Sequence, residues 1–300
     1  MIFFNYLITS TISFLPKWCA KPFSKPYVAG ENANEAIKHI KILNEKGFST
    51  TVDILGEHII NIEEAKNITK QYCDLYDLIA SHSLDCNISL KPTHIGLDIS
   101  LEFALSNITM ILEKARRHNN FLRIDMENSD FTDLTHKIYF HCKKSYNNVG
   151  LVIQSYLHRS MNDLNLVSDG NLNARICKGI YNESDKIAYK NKEKINKNFL
   201  QLAKIMAHNG SYAAYATHDQ DLLDRIIDWI NIENISPNLF EFQVLYGVPM
   251  SGRLEALLDS GYKVRVYVPY GPDWFDYSIR RLKENPNIAG YVLKNLFKRN

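Results

Sequence analysis

One pattern dominates this 300-residue sequence: short apolar runs alternate with longer amphipathic stretches at a period of about 30 residues. The apolar runs span residues 48–55, 88–91, 121–126, 150–156, 174–178, 212–217, 240–245 and 263–268. Their lengths suit strands. Apolar residues at helical spacing recur over 62–80, 100–117, 133–146, 194–207, 220–232 and 253–258. Only between the fourth and fifth runs is no helix predicted. A helix between successive strands makes those strands parallel, joined by right-handed crossovers. Eight such units in about 250 residues predict an α/β fold, a closed (β/α)8 barrel. An open doubly wound sheet is the alternative, but the first strand leads into Asp53-Ile54-Leu55-Gly56-Glu57, not into a glycine-rich dinucleotide turn. Residues 32–47 read as a short helix stopped by Gly47. The chain therefore divides into an N-terminal helical segment, 1–47, packed on a barrel of 48–300.

Charge and cysteine usage narrow the function classes. A formal net charge of +2, evenly spread, offers no basic stripe to nucleic acid. Five scattered cysteines without a Cys-x-x-Cys pair argue for reduced thiols in a cytoplasmic setting, and against a disulfide framework or structural zinc. The histidines form no helical ligand pair, so no metal site is expected; His136, His141 and His158 read as surface or capping residues. The lysine-rich stretch 186–197 reads as a solvated helix start. Residues 1–15 are uncharged and largely apolar, but interrupted by Asn5, Thr9, Ser10, Thr11 and Ser13 and too short to span a bilayer. No positive residue precedes them, as a secretion signal requires. They read as an amphipathic helix docked on the domain, with peripheral contact at the inner membrane face as the alternative.

In a barrel of this kind chemistry sits at the C-terminal ends of the strands. Here those ends are polar throughout. In strand order they offer Asp53 and Glu57; Lys91; Arg123, Asp125 and Glu127; Gln154 and Tyr156; Arg175 and Lys178; Thr217, His218 and Asp219; Glu241 and Gln243; Arg265 and Tyr267. Mutual pairing can account for any one of these charges. Their recurrence in all eight units points to a site. A last helix, 273–284, starts at Asp273 as a candidate N-cap and stops before Pro286. Tyr277, Arg280, Arg281 and Glu284 share one of its faces, at i, i+3, i+4 and i+7. A helix that only covered a core would be apolar there. Two adjacent guanidinium groups suit planar capture of a carboxylate instead. A solvated face with a Glu–Arg pair is the alternative.

Taken in order, these segments resemble the proline dehydrogenase family from about residue 27 to residue 296. Asp53-x-x-x-Glu57, Ser89-x-Lys91, Arg123-x-Asp125-Met126-Glu127, Gln154-x-Tyr156, Arg175-x-x-Lys178-Gly179, Thr217-His218-Asp219, Gln243-x-Leu245-x-Gly247 and Tyr267-x-x-Tyr270-Gly271 are similar to its strand motifs. Tyr277-x-x-Arg280-Arg281-x-x-Glu284 resembles its closing motif and is the most specific piece. The resemblance implies a distorted barrel with the last helix over its mouth and non-covalent FAD at the strand ends. It implies oxidation of L-proline to 1-pyrroline-5-carboxylate, the first step toward glutamate. Electrons would pass to a membrane quinone, and the product to a separate 1-pyrroline-5-carboxylate dehydrogenase.

The same resemblance implies residue roles. Arg280 and Arg281 clamp the substrate carboxylate with Lys91 as a third cation, and Glu284 and Glu57 hold that fork. Tyr267, Tyr277 and Leu245 belong to the substrate wall. Asp125 lies near the substrate amine in an electrostatic role, and Arg175 lies beside the flavin N5 edge. Gln154 bonds the flavin rim, Met126 touches the ring system, and Lys178, Gly179 and Ile180 follow the cofactor. Thr217 and His218 contact its phosphates. Ile180 departs from the family, which commonly has a small residue there. A tyrosine at 267, where hydroxyproline-preferring relatives are small, favours proline over 4-hydroxyproline. Two alternatives use the same barrel: a Schiff-base aldolase built on Lys91 or Lys178, and a non-catalytic proline-binding protein.

Overall fold

The computed structural model describes residues 26–168 and 170–284, excluding the side chains of 276 and 282–284. The expectations for residues 1–15, for Pro286 and for the side chain of Glu284 lie outside the described residues. Eight strands close a barrel: β1 (Ser49–Ile54), β2 (Cys86–Leu90), β3 (Leu122–Ile124), β4 (Val149–Gln154), β5 (Asn173–Cys177), β6 (Tyr212–Ala216), β7 (Phe240–Leu245) and β8 (Val264–Tyr270). All neighbours are parallel, and β1 completes the ring by pairing with β8 from Ser49 opposite Arg265 to Ile54 opposite Tyr270. The predicted closed barrel is therefore the observed one, and the open sheet is excluded.

The helices are α1 (Ala33–Glu45), α2 (Ile62–Ser81), α3 (Leu101–Arg117), α4 (Thr132–Lys143), α5 (Ser160–Val167), α6 (Lys192–His208), α7 (Gln220–Glu233), α8 (Arg253–Asp259) and α9 (Trp274–Glu284). Four begin on side-chain caps written into the sequence: Asn32, Asn61, Ser100 and Asn191 each accept from the backbone N–H three residues on. The unpredicted α5 fills the gap between the fourth and fifth strands. It is only eight residues long, and its buried face includes a carboxylate, Asp163, held by Arg159 at 2.9 Å. Apolar periodicity cannot reveal such a helix.

Strand alternation sorts the core. Ile88, Leu90, Leu122, Ile124, Leu151 and Ile153 belong to one buried apolar cluster with helix residues such as Leu75, Ile79, Ile108, Ile111 and Ile138. Ala36, Ile37 and Ile40 of α1 join the same cluster. The alternate strand positions carry the polar residues.

Three of those polar residues correct the sequence reading. Arg123, Glu241 and Arg265 do not line the mouth cavity. Arg265 donates from Nε to Glu241 Oε1 at 2.8 Å and from Nη1 to the Thr50 carbonyl at 2.5 Å. Arg123 donates to the Leu151 and Asn173 carbonyls and to Asn173 Oδ1, at 2.6–2.9 Å. Each charge is satisfied inside the barrel, so these residues build its floor. His136 is a second correction: it is buried, not a surface or capping residue. It shares the inner face of α4 with Thr132, Thr135 and Tyr139, and burial depresses its pKa. The spacing 132, 135, 136, 139 was the signal that placed it inside.

Candidate active site

The C-terminal ends of the strands open into a cavity of about 670 Å³, walled on one side by α9. That is the scale of a pocket for a small ligand or part of a cofactor. Lys91, Asp125, Met126, Gln154, Arg175, Lys178, Gly179, Ile180, Thr217, His218, Leu245, Tyr267, Tyr277, Arg280 and Arg281 all line it. Every site residue that the family resemblance implies is thus brought together, apart from Glu284, whose side chain lies outside the described residues. The polar face of α9 turns inward: Tyr277 and Arg281 are buried and Arg280 is half-buried. The Arg281 guanidinium lies 5.3 Å from the centre of the Tyr277 ring. A solvated face is excluded.

At the bottom of the cavity Asp125 is fully engaged. Its Oδ1 accepts from Arg175 Nη1 at 2.7 Å and from the Ser89 hydroxyl at 2.6 Å, and its Oδ2 accepts from the Tyr267 hydroxyl at 3.1 Å. Arg175 is fixed again by Gln243, whose Oε1 accepts from Nε at 2.6 Å, and its guanidinium stacks 5.1 Å above Tyr267. This triad of cation, carboxylate and phenol is rigid because every polar group in it has a partner.

Lys91 was expected as a third cation for an anion or, in the alternative reading, as a nucleophile. The structure gives it a dedicated carboxylate, Asp53, whose Oδ2 accepts from Nζ at 2.9 Å. Burial alone would lower the Lys91 pKa, but Asp53 and then Asp125 outweigh it and hold the ammonium above its ordinary value. Lys178 is likewise tied, to Asp219 at 2.5 Å, with Lys192 and Asn196 on the same oxygen. Burial would raise the Asp219 carboxyl, but these three donors hold it well below the usual range. Arg280 is held more loosely. Among the described residues its nearest carboxylate oxygen is Glu57 Oε1 at 3.9 Å, and its buried Nε finds no acceptor.

His218 has one nitrogen spent on the scaffold, since its Nε2 accepts the Leu245 N–H at 3.0 Å. Burial and then the Arg281 charge depress its pKa to about 4. The ring is neutral at physiological pH and carries its proton on Nδ1, which remains as a donor. Gln154 donates from Nε2 to the Met126 and Glu127 carbonyls at 3.2 Å, while its Oε1 is buried with no partner among the described residues. Gly179 has φ +105°, and a Cβ there would lie 2.2 Å from the Tyr156 ring, so only glycine fits. An extended anionic cofactor would find donors here in His218, Thr217, Lys178 and the backbone beside Gly179.

Sequence reasoning missed several lining residues, Tyr181 and Phe275 among them. Tyr181 reaches from the β5–α6 loop to Glu57 at 3.4 Å. A tyrosine in an irregular loop carries no periodic signal. Phe275 lies on α9 off the face singled out by the arginines. Among the described residues no cluster of histidine, cysteine or acidic groups could hold a metal ion.

A protein-family model described as proline dehydrogenase matches residues 36–293. Proline dehydrogenase 1 of Bacillus subtilis (strain 168) is 38% identical over 276 residues, covering 92% of this chain and 91% of that protein. Proline dehydrogenase of Deinococcus radiodurans is 31% identical over 277 residues, covering 91% and 89%. Among solved structures, proline utilization A (PutA) from Bdellovibrio bacteriovorus inactivated by N-propargylglycine superposes with a TM-score of 0.81 at 24% identity. That match covers 88% of this chain and 32% of that one, and it establishes the fold alone.

Proposed function

The chain belongs to the proline dehydrogenase family and is an oxidoreductase that acts on proline; we propose that the cavity between the strand ends and α9 oxidises L-proline to 1-pyrroline-5-carboxylate with non-covalent FAD. The observation that carries the site assignment is the placement of Arg280 and Arg281 on the wall of the same cavity as a cation–carboxylate–phenol triad. Three lining cations, Lys91, Arg175 and Lys178, each have a carboxylate of their own. Among the described residues Arg280 has only a long contact, which leaves its donors for an incoming carboxylate.

Arg280 and Arg281 would bind the proline carboxylate as a fork, with Lys91 adding positive potential. That contact orients the ring between Tyr267, Tyr277 and Leu245, which exclude water from it. Asp125, saturated by Ser89, Arg175 and Tyr267, serves to place the phenol and the guanidinium; it balances the positive cluster near the substrate amine. Arg175 supplies a fixed positive charge where negative charge accumulates. Bound FAD would supply the hydride acceptor. Its fit is supported by the unpartnered Oε1 of Gln154, the glycine-only turn at 179 and the Nδ1 donor of His218. Met126, Lys178, Ile180 and Thr217 would complete its cradle. Glu284, one turn beyond Arg280, would steady the fork together with Glu57.

A flavin reduced in an enclosed pocket needs a diffusible oxidant. A membrane quinone, reached by peripheral contact from the cytoplasmic side, is the acceptor we assign. No helix among the described residues is long and apolar enough to cross a membrane. The product would go to a separate 1-pyrroline-5-carboxylate dehydrogenase. We take residues 26–47 as packed on the barrel, since α1 shares its core. The Schiff-base aldolase is disfavoured: Lys91 is held above its ordinary pKa and Lys178 is ion-paired, whereas such a nucleophile needs a depressed one.

Anaerobic titration of the purified holoprotein with L-proline tests the reading through bleaching of the flavin absorbance. Arg280→Ala and Arg281→Ala are expected to keep the flavin and lose proline affinity. Unchanged affinity in both would overturn the assignment.

A further inference from the structure

We propose that Glu127 is a positioning residue for proline binding: it locks the turn on which Glu57 is seated, and through Glu57 it sets the Arg280 guanidinium. The inference rests on the reading of Arg280 as a holder of the substrate carboxylate.

Glu127 follows β3, is 1% exposed and does not line the cavity. A buried carboxylate needs strong partners, and both of its oxygens are spent on one residue. Oε2 accepts the Thr93 N–H at 3.0 Å, and Oε1 accepts the Thr93 hydroxyl in a short hydrogen bond. Thr93 belongs to the single turn of 3-10 helix, Pro92–Ile95, that follows Lys91. The loop between β1 and α2 is laid on this turn. The Thr93 hydroxyl accepts the His58 N–H at 3.0 Å, and the Thr93 carbonyl accepts the Ile59 N–H at 3.1 Å. Just before them, Gly56 closes onto His94 so tightly that a Cβ would lie 2.3 Å from Nε2. Glu57 sits between these fastenings and faces Arg280 at 3.9 Å and Tyr181 at 3.4 Å.

The geometry forms a continuous series: Glu127, Thr93, the backbone at 58 and 59, Glu57, Arg280. Two hydrogen bonds to one carboxyl fix both the backbone and the rotamer of Thr93. An apolar residue at 127 would fill the space without fixing either. The Glu127 carbonyl also accepts from Gln154 at 3.2 Å, so the same residue borders the proposed flavin side. It touches neither substrate nor reacting atoms, and its effect on binding must pass through Glu57.

The test is a mutant cycle on the holoenzyme, with steady-state proline oxidation measured against an artificial electron acceptor. Glu127→Ala should raise KM for proline by about tenfold or more while kcat changes by less than about threefold. Flavin content should be unchanged. Glu127→Gln, which keeps one acceptor, should recover part of the loss. In a Glu57→Gln background, Glu127→Ala should add nothing further to KM. Multiplying effects in the double variant, or a fall in kcat and flavin content at constant KM, would overturn the proposal. If Glu127→Ala does not fold, Thr93→Val takes its place in the same cycle. Arg280→Ala separates the two levels: unchanged KM there sinks the carboxylate fork itself, whereas a raised KM with multiplying effects of Glu57 and Glu127 sinks only the role of Glu127.

Discussion

The barrel buries charge in two layers that differ in what the charges have left to do. On the floor, Arg265 and Glu241 pair with each other and Arg123 spends its donors on carbonyls and Asn173. Burial would raise the Glu241 carboxyl, but Arg265 outweighs it and holds it down at about 2. At the mouth, Asp125 and Arg175 are also paired, but both line the cavity, and Arg280 keeps an Nε with no acceptor among the described residues. The two layers share residue types and burial. They differ in whether a charge remains for a ligand, and that separates a structural network from a binding site. Gln243 joins them, donating to Glu241 at 2.6 Å while accepting from Arg175.

The sharpest way to break this contrast is to remove one floor charge. Arg265→Met leaves Glu241 buried without its main partner and should cost roughly 3–5 kcal/mol of stability, read by chemical denaturation. Flavin reduction by proline in the folded fraction should stay within about tenfold of the parent. Loss of activity at unchanged stability would erase the distinction between floor and mouth.

The reciprocal experiment is at the mouth. Arg281→Ala or Arg280→Ala should weaken proline binding by roughly 2–4 kcal/mol, on the order of thirtyfold to nearly a thousandfold. For half-buried Arg280, stability should change by less than about 1 kcal/mol. Binding titration and thermal unfolding on the same samples check both halves.

Glu127 lies behind the mouth, and pH sharpens its place. Burial, only partly offset by the Thr93 hydrogen bonds, pushes its carboxyl up to about 7 from 4.5. A carboxyl raised on folding holds its proton more tightly in the folded state. Its stabilisation is present below the ordinary value and is lost as pH rises through about 7, by roughly 3 kcal/mol in all. Relative to Glu127→Gln, the parent should therefore lose about that much stability between pH about 4.5 and about 7 and change little above it. A flat difference across this window would mean the carboxyl is not raised.

The smallest expected effect concerns selectivity. With Tyr267 as the proposed wall of the substrate site, proline should be turned over well in preference to 4-hydroxyproline, and Tyr267→Ser should shift that ratio by roughly tenfold or more toward the hydroxylated substrate. Because the phenol also bonds Asp125 and stacks on Arg175, proline turnover should fall in the same variant. Equal use of both substrates by the parent would remove Tyr267 as the discriminating wall.

Much of this was legible in the chain itself. Local spacing identified eight strands and six of the helices that follow them, because apolar period is a property of neighbouring residues. It also marked the face of α9, and the family motifs named the lining residues. The partners of those residues were not legible. Nothing near Lys91 in sequence names Asp53, 38 positions away, and nothing near Arg175 names Gln243, 68 positions away. Nor could the pattern say that Glu241 and Arg265 would satisfy each other below the cavity while Arg123 turned to Asn173, or that His218 would spend a nitrogen on the Leu245 backbone.

The sequence by itself determined the barrel, the inward positions of its polar residues and the helix that carries two arginines. Tertiary structure alone decided which of those charges are neutralised and which remain for a ligand. The physical reason is that hydrophobic periodicity acts along the chain, while the strength of an ion pair depends on distance and burial between residues that meet only when the barrel closes.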